Sequence, residues 1–582
     1  MLQRSMVSVV LQVPPYQQDP QAVAGSLVAS ALVSVLPLAT VFVLLGVFRL
    51  KAQWAALSGL VVALVVAVAG FAMPVGQSLL AAAHGAFFGL FPILWIVVNA
   101  LWVYNMTVAT GHFDVLRRSF GSLTSDRRTQ AILIAFCFGA LLEALAGFGA
   151  PVAITAVMLI ALGFDKLKAA VLALVANTAP VAFGAMGVPV ITLAQVTALP
   201  LDQVASVVGR QTPLLALFVP LLLVFLVDGT RGIREAWPPA VVAGVVFALG
   251  QFATSNFVSV ELTDIVASLA AALAVVGLAR LQPHAVWAAR RTTPVAAVAG
   301  TGDGGPGGDA GRGGAGGSDG PGTSGGADGA EREPQDSPRD VRLAYLPYVV
   351  IVAVFAVAQI PGLKGALDSL KLAFTVPGLN VLTPQGRPSS TMSYSLTWLS
   401  TAGTLMVIAG VIVAVLLRVG AARALRVWGR TVYDLRWAIV TVAAVLALAY
   451  VMNASAQTTA IGLLIAGAGA ALGFLSPVLG WFATAVTGSD TSANALFGSL
   501  QVTAANGAGL PPELLAAANS SGGVLGKMLS PQNLTIACVA VGLEGQEGTL
   551  LRRVLGWSLA MLVVLSALIA LQATPVLGWM LP

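Results

Sequence analysis

In a chain that is 57% hydrophobic and only 9% charged, the few ionisable groups set inside apolar stretches are where chemistry could occur. Lys527 lies in residues 518–532, a run of glycines, hydroxyls, amides and a proline within a long apolar region. An ammonium at mid-bilayer costs about 2.5–3.5 kcal/mol on insertion scales, which marks it as a site residue by default. Three readings of it stay open: it binds a substrate carboxylate, pairs with Asp490 or Glu143, or snorkels to the interface. Glu143, four residues before Gly147 and flanked by Leu142 and Ala144, and Asp490, within Thr487-Gly488-Ser489-Asp490-Thr491-Ser492, are the carboxyls placed to carry a proton. Burial disfavours a carboxylate's charge while a nearby ammonium favours it, so an arriving anion could change its protonation. Glu143 could equally be a hydrogen-bonded structural group, and Asp490 an ordinary helix N-cap.

Small polar residues surround these groups. Asn177, Thr178, Asn519, Ser520 and Ser521 are the types that hydrogen-bond a small carboxylate, with Ser489, Thr491, Thr155 and Ser492 as second-rank candidates. Half-helix N-termini beside them would present positive dipole ends to an anion. The alternative is that the amides and hydroxyls only satisfy backbone freed by helix breaks.

Such residues need broken membrane elements to hold them. Residues 176–189 match 518–531 at a constant offset of 342: Ala176/Ala518, Asn177/Asn519, Gly184/Gly526, Met186/Met528 and Pro189/Pro531. Paired interrupted segments in two halves are the sequence mark of a transporter's binding site. Backbone left unpaired in lipid costs several kcal/mol, so both must be buried in protein or line a wet cavity. Gly147, Gly149, Pro151, Gly184, Gly488, Gly526 and Pro531 are expected to form the hairpin tips and breaks.

Apolar runs near 27–48, 54–73, 86–108, 212–228, 238–257, 262–280, 343–360, 396–418, 436–454 and 557–575 are long enough to cross a bilayer. Basic loops at Arg49/Lys51, Arg117–Arg128, Lys166/Lys168, Arg231/Arg234, Arg280–Arg291, Arg423–Arg430 and Arg552/Arg553 lie on one side only if the N-terminus starts outside. Residues 130–163 then form a re-entrant hairpin from inside and 167–198 one interrupted crossing. The second half repeats this upside down, with a hairpin around Gly488 entered from outside and 512–543 crossing back. The expected fold is an all-α polytopic membrane protein of about 12 transmembrane helices plus two re-entrant hairpins in an inverted repeat. Its expected parts are an N-terminal extracellular segment (1–26), a first repeat (27–237), connector helices (238–281), a cytoplasmic Gly-rich flexible linker (282–342) and a second repeat (343–582). Residues 300–329 hold 16 glycines in 30 positions, too little apolar surface to fold. Residues 364–395 form an extracellular loop of unread role.

The first 25 residues show no cleavage-type pattern, so the first span is expected to remain. Cys137 and Cys538 fall in apolar segments and read as buried small hydrophobes. His84, His112 and His284 fall in loops, far apart, as solvated side chains and not a metal set. No metal, cofactor, nucleotide or nucleic-acid signature is present. An enzyme acting on lipid would need acids or histidines clustered at one interface, and a proton-translocating subunit would carry charges across several consecutive spans. Neither pattern appears.

The strings Phe136-Cys137-Phe138-Gly139-Ala140, 147–155 (GFGAPVAIT), 177–187 (NTAPVAFGAMG), 487–492 (TGSDTS), Gly526-Lys527-Met528 and Ser530-Pro531-Gln532 resemble the bacterial L-lactate permease family, and more distantly the ion transporter superfamily. The resemblance implies a multi-pass protein of the bacterial cytoplasmic membrane. It implies proton-coupled uptake of L-lactate and related 2-hydroxy monocarboxylates such as glycolate. Its partners would be that monocarboxylate, the proton and the lipid bilayer, and a homo-oligomer is compatible with it. Sodium coupling is the main rival. The Gly-rich linker departs from the family pattern.

Overall fold

The computed structural model describes residues 14–281 and 336–582 apart from 122, 125 and 148. The expected linker falls outside them except for its last residues, as does His284. Runs of Ala, Leu and Val without polar interruption form helices here because only a helix pairs every backbone group within its own segment. They are α1 (Leu27–Gly46), α2 (Ala52–Val65, extended by a wider turn to Gly70), α3 (Val75–Phe88), α4 (Trp95–Ala109), α5 (His112–Gly121), α6 (Arg127–Leu145), α7 (Ala150–Ala161), α8 (Lys166–Ala176), α9 (Gly184–Thr197), α10 (Leu201–Phe257) and α11 (Thr263–Leu281). After the undescribed stretch come α12 (Pro338–Ala358), α13 (Pro361–Ser369), α14 (Ala402–Leu416), α15 (Ala421–Asp434), α16 (Arg436–Ala454), α17 (Gln457–Ala466), α18 (Leu472–Thr487), α19 (Asp490–Ala508), α20 (Pro512–Gly526), α21 (Pro531–Val541) and α22 (Glu547–Gln572). Among the described residues 10 helices are long and apolar enough to cross a membrane, or 12 if each of two bent pairs is one span. The protein is an all-α polytopic membrane protein.

Several boundaries move outward from the sequence expectation. The third span starts at Val75, with α3 and α4 joined through extended backbone at Phe91 (φ −138°, ψ 121°). This overturns the loop reading of His84, which is buried in α3 with Nδ1 3.0 Å from the Thr391 carbonyl and its ring edge-on to Tyr394 and Tyr450. The apolar neighbours Leu79–Ala83 and Phe87–Phe88 bring it into the bundle. His112 opens α5. The spans near 212 and 238 are one chain of helix, α10, interrupted at Asp228–Gly229 and Ala236. An upside-down second half puts residues 456–473 on the surface like 111–129; α17, within them, instead buries one face against α1 and α19.

The 361–401 region carries small strands. β1 (Tyr16–Gln17) pairs with β3 (Val381–Leu382), and β2 (Leu372–Thr375) with β4 (Ser393–Leu396). The Tyr16 hydroxyl donates to the Phe71 and Ser455 carbonyls and Gln18 Nε2 to those of Asn453 and Ala454, so the N-terminal segment bridges helix ends of both halves. Cys137 and Cys538 are buried free thiols.

The same order of elements occurs twice: a ten-residue helix (α5, α17), a long arm and a tip (α6, α18), a returning arm (α7, α19), a broken crossing (α8–α9, α20–α21) and a long helix (α10, α22). The halves interlock at their returning arms. α7 packs on α21 and α9 packs on α19.

Candidate functional site

Each tip and each break is made where a helix cannot continue. The first tip turns through left-handed backbone at Gly147 (φ 48°) and Gly149 (φ 85°), with Pro151 in the first turn of α7, where its missing N–H is not needed. The second turns at Gly488 (φ 77°), and the Ser489 side chain caps α19 by accepting from the Ser492 amide at 3.2 Å. The N-cap is therefore Ser489 and not Asp490, which frees the Asp490 carboxyl for other partners. In the first broken crossing, Ala185, Met186 and Gly187 all take left-handed backbone (φ 46°, 61°, 74°) directly after Gly184. Such residues cost roughly 1–2 kcal/mol each outside glycine and persist only where packing enforces them. In the second, the α20 helix ends in a tight turn at Lys527–Leu529, Ser530 caps α21, and Pro531 is its first residue. Gly526 itself is helical (φ −70°, ψ −30°), contrary to its expected part in the break. Its small size matters instead, since a Cβ there would meet the Trp481 carbonyl of α18 at 2.1 Å.

The two tips and two breaks meet around one cavity. The first half contributes Glu143, Gly147 and the 181–189 break, and the second contributes 488–491, Lys527 and Gln532. The N-terminal ends of α9, α19 and α21 lie at its wall, where the positive ends of helix dipoles favour an anion.

On its wall Lys527 Nζ meets Glu143 Oε1 at 2.5 Å, with the two residues 7% and 2% exposed. Asn177 Nδ2 donates to the other carboxylate oxygen, Oε2, at 2.9 Å. Of the three open readings of Lys527, snorkelling is ruled out and pairing with Glu143 is what the structure holds. Glu143 is accommodated by Gly184, where a Cβ would stand 2.8 Å from Oε1. Across the cavity Asp490 Oδ2 accepts from the Ser520 hydroxyl at 2.7 Å and more distantly from Asn494 Nδ2 at 3.4 Å. Its Oδ1 is buried without a hydrogen-bond partner, as is Thr484 Oγ1, and both face Gly523. Ser489 and Thr491 line the cavity and are half-buried.

The remaining sequence candidates lie behind this wall. The Thr178 hydroxyl donates to the Val175 carbonyl at 2.7 Å, and that of Thr155 to the Pro151 carbonyl at 2.7 Å, so both satisfy local backbone. Asn519 Nδ2 donates to Asn494 Oδ1 at 2.9 Å, and the Ser521 hydroxyl to Gln211 Oε1 at 2.7 Å. Asn519, Ser521 and Thr178 thus do not reach the cavity. Gly149 sits where a Cβ would be 2.6 Å from Ile536 Cδ1 of α21.

Residues outside the sequence expectation complete the site. Asn494, one helical turn after Asp490, donates to Ser520 Oγ at 3.1 Å and to the Pro189 carbonyl at 3.1 Å, tying the second hairpin to the first break. Its i,i+4 spacing from Asp490 was a readable signal. Gln532 lines the cavity from the start of α21. Gln251 and Asp264 are buried polar residues inside expected apolar spans, and Gln211 is a third just before one.

The whole chain has relatives. The sequence model described as L-lactate permease matches residues 30–576. The L-lactate permease of Bacillus subtilis is 40% identical over 566 residues, covering 96% of this chain and 98% of that one. Glycolate permease GlcA of Escherichia coli is 39% identical over 556 residues (94% and 96%), and the L-lactate permease of Escherichia coli 39% identical over 572 residues (96% and 98%). With a family match across nearly all its length and a cavity ringed by broken helices, the chain belongs to the L-lactate permease family of membrane transporters and is not an enzyme.

Proposed function

We propose that the protein takes up L-lactate and related 2-hydroxy monocarboxylates such as glycolate together with a proton, across the cytoplasmic membrane of a bacterium. The observation that carries this reading is the buried Lys527–Glu143 pair on the cavity wall. A substrate carboxylate is attracted to Lys527 and must displace Glu143 Oε1 from it. Glu143 would then be a buried carboxylate with one donor, Asn177, on Oε2. A lone charge so placed costs several kcal/mol, so it is relieved by a proton on Oε1, the oxygen that Lys527 has left. Substrate and proton thereby enter as a neutral set. Ser489 and Thr491, on the opposite tip, are placed to hydrogen-bond the substrate hydroxyl, and Asp490 orders that tip through Ser520.

Alternating access follows from the two halves. Read with the basic loops on the cytoplasmic side, the repeated element order runs in opposite directions through the membrane, an inverted repeat. On the outer side α9 and α19 are joined by Asn494 to the Pro189 carbonyl and by the Ser499 hydroxyl to the Val196 carbonyl at 2.5 Å. On the inner side Pro531, Gln532 and Thr535 at the start of α21 are exposed. These contacts support a state closed to the outside, with the cavity wall open towards the cytoplasm. Uptake of labelled lactate into proteoliposomes under an imposed pH gradient, with and without sodium, tests the reading. Accumulation driven by the proton gradient and indifferent to sodium is expected, and accumulation that needs sodium would reject it.

A further inference from the structure

Among the described residues, the buried carboxyl and ammonium side chains are four: Glu143, Asp264, Asp490 and Lys527. Three acids thus share one cation, and that cation is committed to Glu143. Asp264, in the first turn of α11, is wholly inaccessible. Its Oδ1 accepts a single hydrogen bond, from Gln251 Nε2 at 2.9 Å, and its Oδ2 is buried with no partner. A helix N-terminus favours an acid, but by a fraction of what full burial of a carboxylate costs.

Asp264 is wired to the site. Gln251 shares its amide nitrogen between Asp264 and the carbonyl of Ala179 at 3.2 Å, while its Oε1 accepts from the Thr212 hydroxyl at 3.3 Å. Ala179 lies two residues after Asn177, the residue that holds Glu143. The turn before α11 also presses on the break, where a Cβ at Gly187 would meet Val260 Cγ1 at 2.7 Å. The charged and titratable groups around Asp264 are few. α6 brings Glu143, within electrostatic reach, and Cys137. α9 brings none. α10 brings Arg210, whose guanidinium donates to Asn256 Oδ1 at 3.0 Å and to the Met580 carbonyl at 2.6 Å. The preceding turn brings Glu261, hydrogen-bonded by Ser259 at 2.5 Å. None of these supplies Asp264 with a cation.

We propose that Asp264 is a second proton-binding site of the transport cycle, and that Gln251 transmits its charge state to the first broken helix. The proposal rests on the proton-coupled reading of Glu143. Binding places a proton on Oδ2, the unpartnered oxygen, with no other bond made or broken. The charge balance then changes. A proton on Glu143 cancels the substrate's negative charge, and one on Asp264 adds a net positive charge per cycle, so uptake responds to membrane potential.

The test uses the purified full-length protein in proteoliposomes, with labelled lactate, an internal pH dye and a potassium diffusion potential. Two protons per lactate are expected in the wild type, together with uptake accelerated by an inside-negative potential in the absence of a pH gradient. Asp264→Asn, which keeps the oxygen that Gln251 needs, is expected to move one proton per lactate, to lose the response to potential and to keep lactate counterflow. One proton per lactate with no response to potential in the wild type overturns the proposal without any variant, as does an unchanged ratio in Asp264→Asn. Lactate movement with no proton at all in the wild type overturns the reading of Glu143 as well.

Discussion

Replacing Glu143 by Gln tests the proposed coupling most directly, because it keeps the side chain's length and removes the charge opposite Lys527. In the wild type the incoming carboxylate must displace a charge-assisted hydrogen bond of 2.5 Å. Bonds to charged groups contribute about 1.5–3 kcal/mol net. At 1.4 kcal/mol per factor of ten, the variant should bind lactate about 10- to 150-fold more tightly in equilibrium exchange. It should also be unable to accumulate lactate from a pH gradient, since the group that takes the proton is gone. Removing one partner of a buried pair typically destabilises by about 3–5 kcal/mol. The substrate-free variant should therefore melt at lower temperature than the wild type and recover most of the loss with saturating lactate, which supplies the missing anion. Proteoliposome counterflow, gradient-driven uptake and thermal unfolding read the three effects. Proton-driven accumulation retained in Glu143→Gln would refute the reasoning, and so would an unchanged half-saturation concentration.

Lys527→Gln should lower uptake by at least about 100-fold, since one charge-assisted contact to substrate and the attraction across a desolvated cavity are both lost. The variant should remain folded, because Glu143 can be neutralised by a proton; binding of labelled lactate at wild-type strength would remove Lys527 from the site. Gly523→Ala would put a Cβ 2.0 Å from Asp490 Oδ1 and 2.8 Å from Thr484 Oγ1. It should cost about 1–3 kcal/mol by overpacking and slow transport by moving Asp490. Gly46→Ala, with nothing within 4 Å, serves as the control whose melting temperature and uptake should match the wild type.

Much of this architecture can be read from the sequence because a bilayer imposes strong, local constraints. An apolar run of about 20 residues must be a helix, and a segment such as 518–532 cannot be a lipid-facing one. Lys527, Glu143 and Asp490 stood out for the same reason, as charges where charge is costly. Outlines failed where apolar residues mask polar ones: α3 holds Gln77, Ser78 and His84 among alanines and leucines, and Asp264 sits at the start of a span that otherwise reads as a plain connector.

The sequence by itself determined that the chain crosses a membrane many times, that residues 176–189 and 518–531 are not plain lipid-facing helices, and that Lys527, Glu143 and Asp490 lie in apolar surroundings, since each follows from the transfer cost of nearby residues. Only the tertiary structure decided who meets whom. Glu143 and Lys527 are 384 positions apart, and nothing local distinguishes the partner Glu143 from Asp490. The structure likewise turned Asn519 and Ser521 away from the cavity, gave Gln532 to it and set Asn494 behind Asp490, because the direction a buried amide or hydroxyl takes is set by which neighbouring helix offers it a hydrogen bond. That choice belongs to packing between the two halves, which no run of adjacent residues encodes.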